Sequence, residues 1–179
     1  MPTYNYSDIV KYNNFFDEAD YNVIKEKTGI GSNWQYGHTS LGDKDPQFTK
    51  SVPFWKMQLD EDRFFSEYLL NKIQQKLDTS FSLEQVYANG HTYGCDGSIH
   101  VDAHDPNGHT LLLYVNPSWQ YAWGGSTNFH ISEGEMFSVF PSGNKAVYFP
   151  GQIPHCASGT TRHFKFLRVT IAWKLRTNE

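Results

Sequence analysis

The motif His100-Val101-Asp102 places two metal-binding residue types two positions apart. In a β-strand, side chains two residues apart point to the same face, so this imidazole and this carboxylate would converge on one point. His155, which follows the Pro150-Gly151 turn, supplies a second imidazole. Two histidines and one carboxylate form the facial triad that holds Fe(II) and leaves coordination positions open for other ligands. The residue types and spacing therefore predict a mononuclear Fe(II) site.

Other interpretations of this motif remain open at the level of sequence. The chain has 8 histidines, so a short His-x-Asp pattern arises readily by chance, for example as a strand histidine beside a surface aspartate. Nearby residues of the same types are His104, Asp105 and His109. They lie in a segment typical of a loop, whereas His100 and Asp102 lie in strand-like sequence. We therefore favour His100 and Asp102 as ligands.

A second group with chemical potential lies in the last predicted strand. Arg168 and Thr170 share one strand face, in a segment whose other residues are mostly apolar. A buried guanidinium needs an anion, and no aspartate or glutamate is near in sequence. A guanidinium paired with a hydroxyl suits the far end of a dicarboxylate, through bidentate hydrogen bonds. The alternative is a structural salt bridge, the commoner role of a single arginine.

The elements that must position these residues divide into two groups. Asp17 predicts a helix cap, with the helix continuing to Lys27 and stopping at Gly29. A second helix is predicted from about Asp60 to Leu77, and residues 30–55 between them are typical of a long irregular loop. Short strands separated by turn residues follow, at Leu83–Asn89, Ser98–Asp102, Thr110–Asn116, Ser126–Phe129, Val139–Pro141, Ala146–Phe149, His155–Ala157 and Phe166–Leu175. This order predicts an α+β protein, a β-sandwich or barrel with helices packed on one face.

Length and composition indicate one domain in residues 1–179, with a helical and loop support in 1–80 and a β core in 81–176. A net charge of -4 without a basic stripe argues against a nucleic-acid partner. There is no signal-peptide pattern and no long apolar run, so we expect no membrane partner. The cysteines Cys95 and Cys156 form no disulfide framework, and we expect a cytoplasmic protein in which Cys156 is not a ligand.

The ordered set of motifs from Tyr87 to Trp173 resembles the 2-oxoglutarate/Fe(II)-dependent dioxygenases, and within them the prolyl 4-hydroxylase-like branch, of which small bacterial and phage forms exist. The set comprises His-x-Asp, Tyr114-Val115-Asn116, Gly124-Gly125-Ser126-Thr127-Asn128-Phe129, Pro141 to Phe149, His155 and Arg168. The resemblance implies a double-stranded β-helix (jelly-roll) core with the N-terminal helices packed on one sheet. It also implies Fe(II), 2-oxoglutarate and O2 as cofactors, with ascorbate as an optional addition.

The resemblance further implies roles for individual residues. His100, Asp102 and His155 would hold iron. Arg168 would bind the distal carboxylate of 2-oxoglutarate, with Tyr114 and Thr170 as further contacts, although Tyr114 could equally be a packed core tyrosine.

The substrate side is assigned to aromatic residues. Tyr93 matches a family tyrosine before the His-x-Asp motif, and Trp173 would lie either near the metal or in the core. Trp119, Tyr121 and Trp123 could form a lid with residues 30–55, or they could cap the mouth of the barrel.

These assignments predict an oxygenase that hydroxylates a C–H bond, with a prolyl residue of a peptide or protein as the leading substrate. The alternative substrate is a free amino acid or small metabolite. Two alternatives from other classes are a non-catalytic jelly-roll module that binds a metal and a metal-dependent isomerase of the cupin type. A nucleic-acid demethylase is disfavoured because the basic surface expected for phosphate contacts is absent.

Overall fold

Ten strands and two α-helices are found in residues 3–40 and 51–177, the part of the chain that the computed structural model describes. The strands are β1 (Val10–Tyr12), β2 (Gln35–His38), β3 (Phe54–Gln58), β4 (Phe81–His91), β5 (Gly108–Tyr114), β6 (Thr127–Ser132), β7 (Glu135–Val139), β8 (Lys145–Pro150), β9 (His155–Ala157) and β10 (Arg168–Thr177). The helices are α1 (Glu18–Lys27) and α2 (Leu69–Leu77), and a π-helical turn, Phe64–Tyr68, leads into α2. Two short 3-10 turns cover Tyr6–Asp8 and Tyr121–Trp123.

Two antiparallel sheets form the core. The larger sheet has the order β1-β8-β5-β10-β4-β3-β2, and the smaller has the order β7-β6-β9. Apolar side chains from both sheets meet between them, among them Leu112, Tyr114, Phe129, Ile131, Val147 and Phe149. The result is an α+β protein with a jelly-roll core, which confirms the predicted fold.

The helices pack on the outer face of the larger sheet, as predicted. The Asp17 carboxylate caps α1 by accepting a hydrogen bond from the backbone N–H of Asp20 at 2.9 Å. Leu69 and Ile73 of α2 are fully buried against the sheet. The indole N–H of Trp173 donates to the backbone carbonyl of Phe65 at 3.0 Å, which ties β10 to the turn before α2. Within the described ranges, no helix is long and apolar enough to cross a bilayer.

Side chains of β10 alternate between the cavity on one face of the strand and the hydrophobic core under the helices on the other. One set faces the space between the sheets and lines a cavity there, and its members are Arg168, Thr170, Ala172 and Lys174. The other set packs under the helices, and its members are Val169, Ile171, Trp173 and Leu175. The central strand of the larger sheet therefore belongs both to the hydrophobic core and to the candidate site.

Six of the eight predicted strands are confirmed with small shifts of their ends, but two predictions are wrong. The strand predicted at Val139–Pro141 is β7, Glu135–Val139, because the hairpin turn lies earlier, at Gly134 with φ +81°. Residues Ser98–Asp102 form no strand and make a single bridge at His100. The backbone then turns away, since the N–H groups of Asp102 and the following residue both donate to the Gly151 carbonyl.

The predicted irregular loop at 30–55 is wrong in its described part, since β2 and the start of β3 lie there. β2 is the edge strand of the larger sheet and β3 lies next to it. Three of the four residues of β2 are exposed, so its sequence lacks the apolar alternation that identifies strands. Residues 41–50 lie outside the described residues. The second helix begins after the predicted Asp60, whose carboxylate instead accepts a hydrogen bond from the N–H of Val86 at 2.7 Å.

We expect Leu69→Ala to lower the free energy of unfolding by about 2–5 kcal/mol, because the methyl groups it removes are fully buried between α2 and the sheet. Denaturant unfolding measures this change. The matched control is Gln75→Ala on the exposed side of α2, which should change stability by less than about 0.5 kcal/mol. Equal losses in the two variants would contradict the packing described for α2.

Candidate metal centre

One pair of backbone hydrogen bonds brings the two predicted histidine ligands together. The N–H of His100 donates to the carbonyl of His155 at 3.0 Å, and the N–H of His155 donates back to His100 at 2.9 Å. In such an antiparallel pair, directly opposite side chains lie on the same face. The two imidazole ring centroids are accordingly 4.5 Å apart.

Each imidazole is oriented by a hydrogen bond at its Nδ1 atom. His100 Nδ1 lies 2.9 Å from the carbonyl oxygen of Ser98, and His155 Nδ1 lies 2.9 Å from that of Ile153. A carbonyl only accepts hydrogen bonds, so each Nδ1 carries the proton and each Nε2 presents a free lone pair. Both Nε2 atoms are therefore ready to coordinate a cation.

The carboxylate of Asp102 lies between these two nitrogens. Oδ1 is 3.4 Å from His100 Nε2, and Oδ2 is 3.4 Å from His155 Nε2. The three potential ligand atoms all lie within 4.8 Å of one another. This is the only such group of three or more histidine, cysteine or acidic residues in ranges 3–40 and 51–177. The donor set of two imidazoles and one carboxylate fits Fe(II).

The electrostatics of the group favour the forms that bind metal. Burial alone would raise the pKa of Asp102, but Lys174 and the two imidazoles outweigh it and hold that pKa well below its ordinary value. Burial lowers the pKa of His155 to about 4, although the neighbouring Asp102 raises it. At neutral pH the site therefore presents an ionised carboxylate and a neutral His155 imidazole.

The competing ligands considered from sequence lie elsewhere. His104 is exposed, and His109 stacks on Tyr148 with ring centroids 5.2 Å apart. Neither His104 nor Asp105 belongs to the group of potential ligands. Asp105 instead forms an ion pair with Arg176 at 2.8 Å. Cys156 also lies outside it.

A buried guanidinium lies in the same cavity as the three ligands. Arg168 is 1% exposed, and its Nε–H donates to the Gly125 carbonyl at 2.6 Å. One Nη–H donates to the hydroxyl of Thr127 at 3.2 Å. Among the described residues, no carboxylate forms an ion pair with Arg168, and these bonds occupy two of its five N–H donors. Burial lowers the pKa of Arg168, yet an arginine keeps its charge, so this wall of the cavity is suited to an anion.

The Gly124-Gly125 turn makes room for this arginine. Both glycines have positive φ, +68° and +72°, a conformation that other residues rarely adopt. A Cβ on Gly125 would lie 3.0 Å from Cδ of Arg168 and 2.9 Å from the ring of Trp119. The indole N–H of Trp119 donates to the Gly124 carbonyl at 2.9 Å and holds the turn from outside. Gly125 is therefore a packing requirement of Arg168.

Tyr114 and Thr170 are directly opposite each other on β5 and β10. Thr170 lines the cavity. Tyr114 lies behind it, fully buried, and its hydroxyl bonds to Thr127 Oγ1 at 2.7 Å and to the Val139 carbonyl at 3.1 Å. Its ring centroid is 5.6 Å from the guanidinium carbon of Arg168. In this arrangement Tyr114 contacts the arginine and does not line the cavity wall.

The aromatic residues predicted for substrate contact are dispersed. Trp173 lies in the core, the second of its two predicted positions, because the alternation of β10 turns it to the helix side. Tyr93 is 59% exposed and lies outside the cavity, beneath the guanidinium of Arg162. Trp119 and Trp123 cluster with Phe164 next to the double-glycine turn. The neighbouring Tyr121 is 80% exposed and contacts Phe140.

Several cavity residues are not apparent from sequence. Three alternate along β4, namely Tyr87, Asn89 and His91, and two more are Thr110 and Lys174. His91 is 2% exposed, and its Nδ1 has no hydrogen-bond partner among the described residues. Burial and the charge of Arg168 lower its pKa well below the ordinary value. The period-two spacing of β4 and β10 is the sequence signal that could have identified them.

No protein-family model and no curated protein sequence matches the chain. Several solved structures, in contrast, are similar to it in fold. A prolyl hydroxylase from Trichoplax adhaerens, in complex with a hypoxia inducible factor peptide, has a TM-score of 0.72 and 14% identity over 97% of this chain and 85% of that one. A 2OG-Fe(II) oxygenase family oxidoreductase from Burkholderia pseudomallei has a TM-score of 0.71 and 12% identity, covering 97% and 87%. The viral collagen prolyl hydroxylase of Paramecium Bursaria Chlorella virus-1, as a 2OG complex, has a TM-score of 0.61 and 14% identity, covering 96% and 97%.

At these identities the similarity establishes the fold, and the chain has the jelly-roll architecture of the 2-oxoglutarate/Fe(II) oxygenases. Prolyl hydroxylases are among the solved structures that share this fold, and so is an oxygenase described only by its family.

We expect the protein to bind Mn(II), a redox-stable substitute for Fe(II), and we expect His155→Ala to weaken that binding by more than about 100-fold, beyond the loss typical of outer-shell changes. Isothermal titration measures the affinity. His104→Ala is the matched control, because it removes an exposed histidine near the site and should leave the affinity unchanged. Weaker binding in the control alone would contradict the ligand assignment.

Proposed function

We propose that the chain is a 2-oxoglutarate- and Fe(II)-dependent oxygenase that hydroxylates a C–H bond. The observation that carries the proposal is the joint presence, in one cavity, of the His100, Asp102 and His155 group and of the guanidinium of Arg168. A metal-binding module needs only the first feature. The second adds a fixed, buried positive charge that a dicarboxylate can neutralise.

The residues fit both groups. His100, Asp102 and His155 would hold Fe(II), each imidazole through Nε2, since Nδ1 of each is hydrogen-bonded to a backbone carbonyl. When bound, Fe(II) with 2-oxoglutarate and O2 supplies the oxidising chemistry, which releases succinate and carbon dioxide and places one oxygen atom on the substrate carbon. The protein contributes positioning and exclusion of water from a largely buried site.

Arg168 would bind the distal carboxylate of 2-oxoglutarate. Its free N–H groups supply the two parallel donors that a carboxylate accepts, and its Nε–H bond to Gly125 fixes the plane of the fork. Thr170, on the same face of β10, would donate a further hydrogen bond. Tyr114 would support the arginine through its ring and keep Thr127 in place through its hydroxyl.

The leading substrate in this proposal is a prolyl residue in a peptide or protein. Support comes from the fold shared with prolyl hydroxylases, one of which is in complex with a peptide. Because one fold hosts many substrates, a free amino acid or small metabolite is the alternative that the substrate panel below must separate.

We expect purified protein supplied with Fe(II), 2-oxoglutarate and O2 to form succinate, and we expect proline-containing peptides to stimulate this most. The panel also includes free amino acids and methylated oligonucleotides, and mass spectrometry identifies the hydroxylated product. Asp102→Ala should abolish turnover because it removes the only carboxylate of the metal group. Stimulation by free amino acids alone would favour the alternative substrate. A protein that binds Mn(II) but turns over nothing would contradict the oxygenase proposal.

We expect Arg168→Met to raise the KM for 2-oxoglutarate roughly 10- to 100-fold, because charged hydrogen bonds contribute about 1.5–3 kcal/mol. Arg168→Lys keeps the charge without the fork and should give an intermediate KM. The matched control is Arg162→Met, which removes an exposed arginine. Initial-rate kinetics with varied 2-oxoglutarate measure the effect, and an unchanged KM in Arg168→Met would reject this role.

A further inference from the structure

The carboxylate of Asp102 has two protein partners besides the histidines, and both bind the same oxygen. The hydroxyl of Thr110 donates to Oδ2 at 2.6 Å. The ammonium of Lys174 also contacts Oδ2, and it lies 3.4 Å from the Thr110 hydroxyl. Each oxygen also lies 3.4 Å from one imidazole, Oδ1 from His100 Nε2 and Oδ2 from His155 Nε2, but among the described residues neither Thr110 nor Lys174 bonds to Oδ1. The two oxygens of one carboxylate are thus treated differently by the protein.

The sheet supplies these two partners as a pair. Thr110 on β5 and Lys174 on β10 are directly opposite in the antiparallel register, so their side chains leave the same face side by side. The pairing of β10 with β4 shifts by one residue between Lys174 and Leu175. The extra residue of this bulge, Glu84, lies on β4, so β10 keeps its alternation and Lys174 stays on the cavity face with Thr170 and Ala172.

Lys174 is enclosed within this arrangement. Its side chain is 14% exposed, that of Asp102 is 5% exposed, and its ammonium lies 5.7 Å from the ring centroid of Tyr87. A second lysine, Lys56, also lies over the Tyr87 ring, with its ammonium 4.4 Å from the ring centroid, but it makes no ion pair with Asp102 among the described residues. The contact with Asp102 is therefore particular to Lys174.

We infer that Lys174 and Thr110 are positioning residues for the metal centre: they fix Asp102 through Oδ2, so that Oδ1 is the oxygen presented to the cation. This inference rests on the proposed function, since it assumes that Asp102 is a metal ligand. A carboxylate held in one rotation loses less freedom on coordination, and its unpaired oxygen binds as a single donor. Hydrogen-bonding partners of metal ligands typically change metal affinity about 10- to 100-fold when removed.

The test compares Mn(II) affinity and the visible spectrum of the Co(II)-substituted protein in four variants. Lys174→Met and Thr110→Val should each weaken Mn(II) binding by about 10-fold or more and alter the Co(II) bands. Lys174→Arg, which can still donate to Oδ2, should recover most of the affinity. Lys56→Met is the matched control, a lysine beside the same ring, and should leave affinity and spectrum as in the wild type.

Each outcome decides the inference. Unchanged affinity and spectrum in both Lys174→Met and Thr110→Val would overturn it, and so would tighter binding in Lys174→Met, since the lysine charge would then oppose the metal. If Lys174→Met does not fold, Thr110→Val decides, because it leaves the ion pair in place. A wild type that binds Mn(II) but has no oxygenase turnover would refute the proposed function while leaving this inference intact.

Discussion

The candidate site depends on one antiparallel backbone pair, His100 with His155. Its two reciprocal hydrogen bonds, 3.0 and 2.9 Å long, join segments that are far apart in sequence and set their side chains on one face. Everything else in the metal group follows from this register. Beyond His100 the backbone turns, and the bond from the Asp102 N–H to the Gly151 carbonyl at 2.7 Å holds the segment that carries the carboxylate. The local carbonyls that accept from Nδ1 turn each Nε2 toward that carboxylate. A slip of one residue would turn His155 to the other face.

The second constraint is the alternation of β10, which lets one strand serve two purposes. Its inward residues reach from Arg168 to Lys174 along the cavity, while its outward residues anchor the helices through Trp173 and its bond to the Phe65 carbonyl. Helical packing therefore holds the strand that carries the guanidinium. Precise placement of functional side chains requires such a rigid support. The helices α1 and α2 contribute no residue to the cavity lining, and their role is to support β10 from behind.

The sequence predicted what depends on local spacing, and it failed where the outcome depends on pairing across strands. His100, Asp102 and His155 were proposed from residue type and spacing, and they do lie together, although the strand assumed for His100 and Asp102 is a single bridge followed by a turn. The parity of β10 could have put Trp173 in the core without ambiguity. The edge strand β2 was missed because its mostly exposed residues lack apolar alternation. Period-two spacing from Arg168 could have placed Lys174 on the cavity face, but its neighbour Thr110 depends on the register of β10 with β5, which a single sequence does not reveal.

The two buried cations of β10 are distinguished by their partners. Lys174 is paired with a carboxylate of the protein, so the cost of burying its charge is already offset. Arg168 has only a carbonyl, a hydroxyl and an aromatic ring among the described residues, all neutral. Neutral dipoles compensate a buried charge less completely than an ion does. The unbalanced charge is therefore at Arg168, so the anion required by the proposed function would be stabilised beside this guanidinium, whereas Lys174 is already neutralised by Asp102.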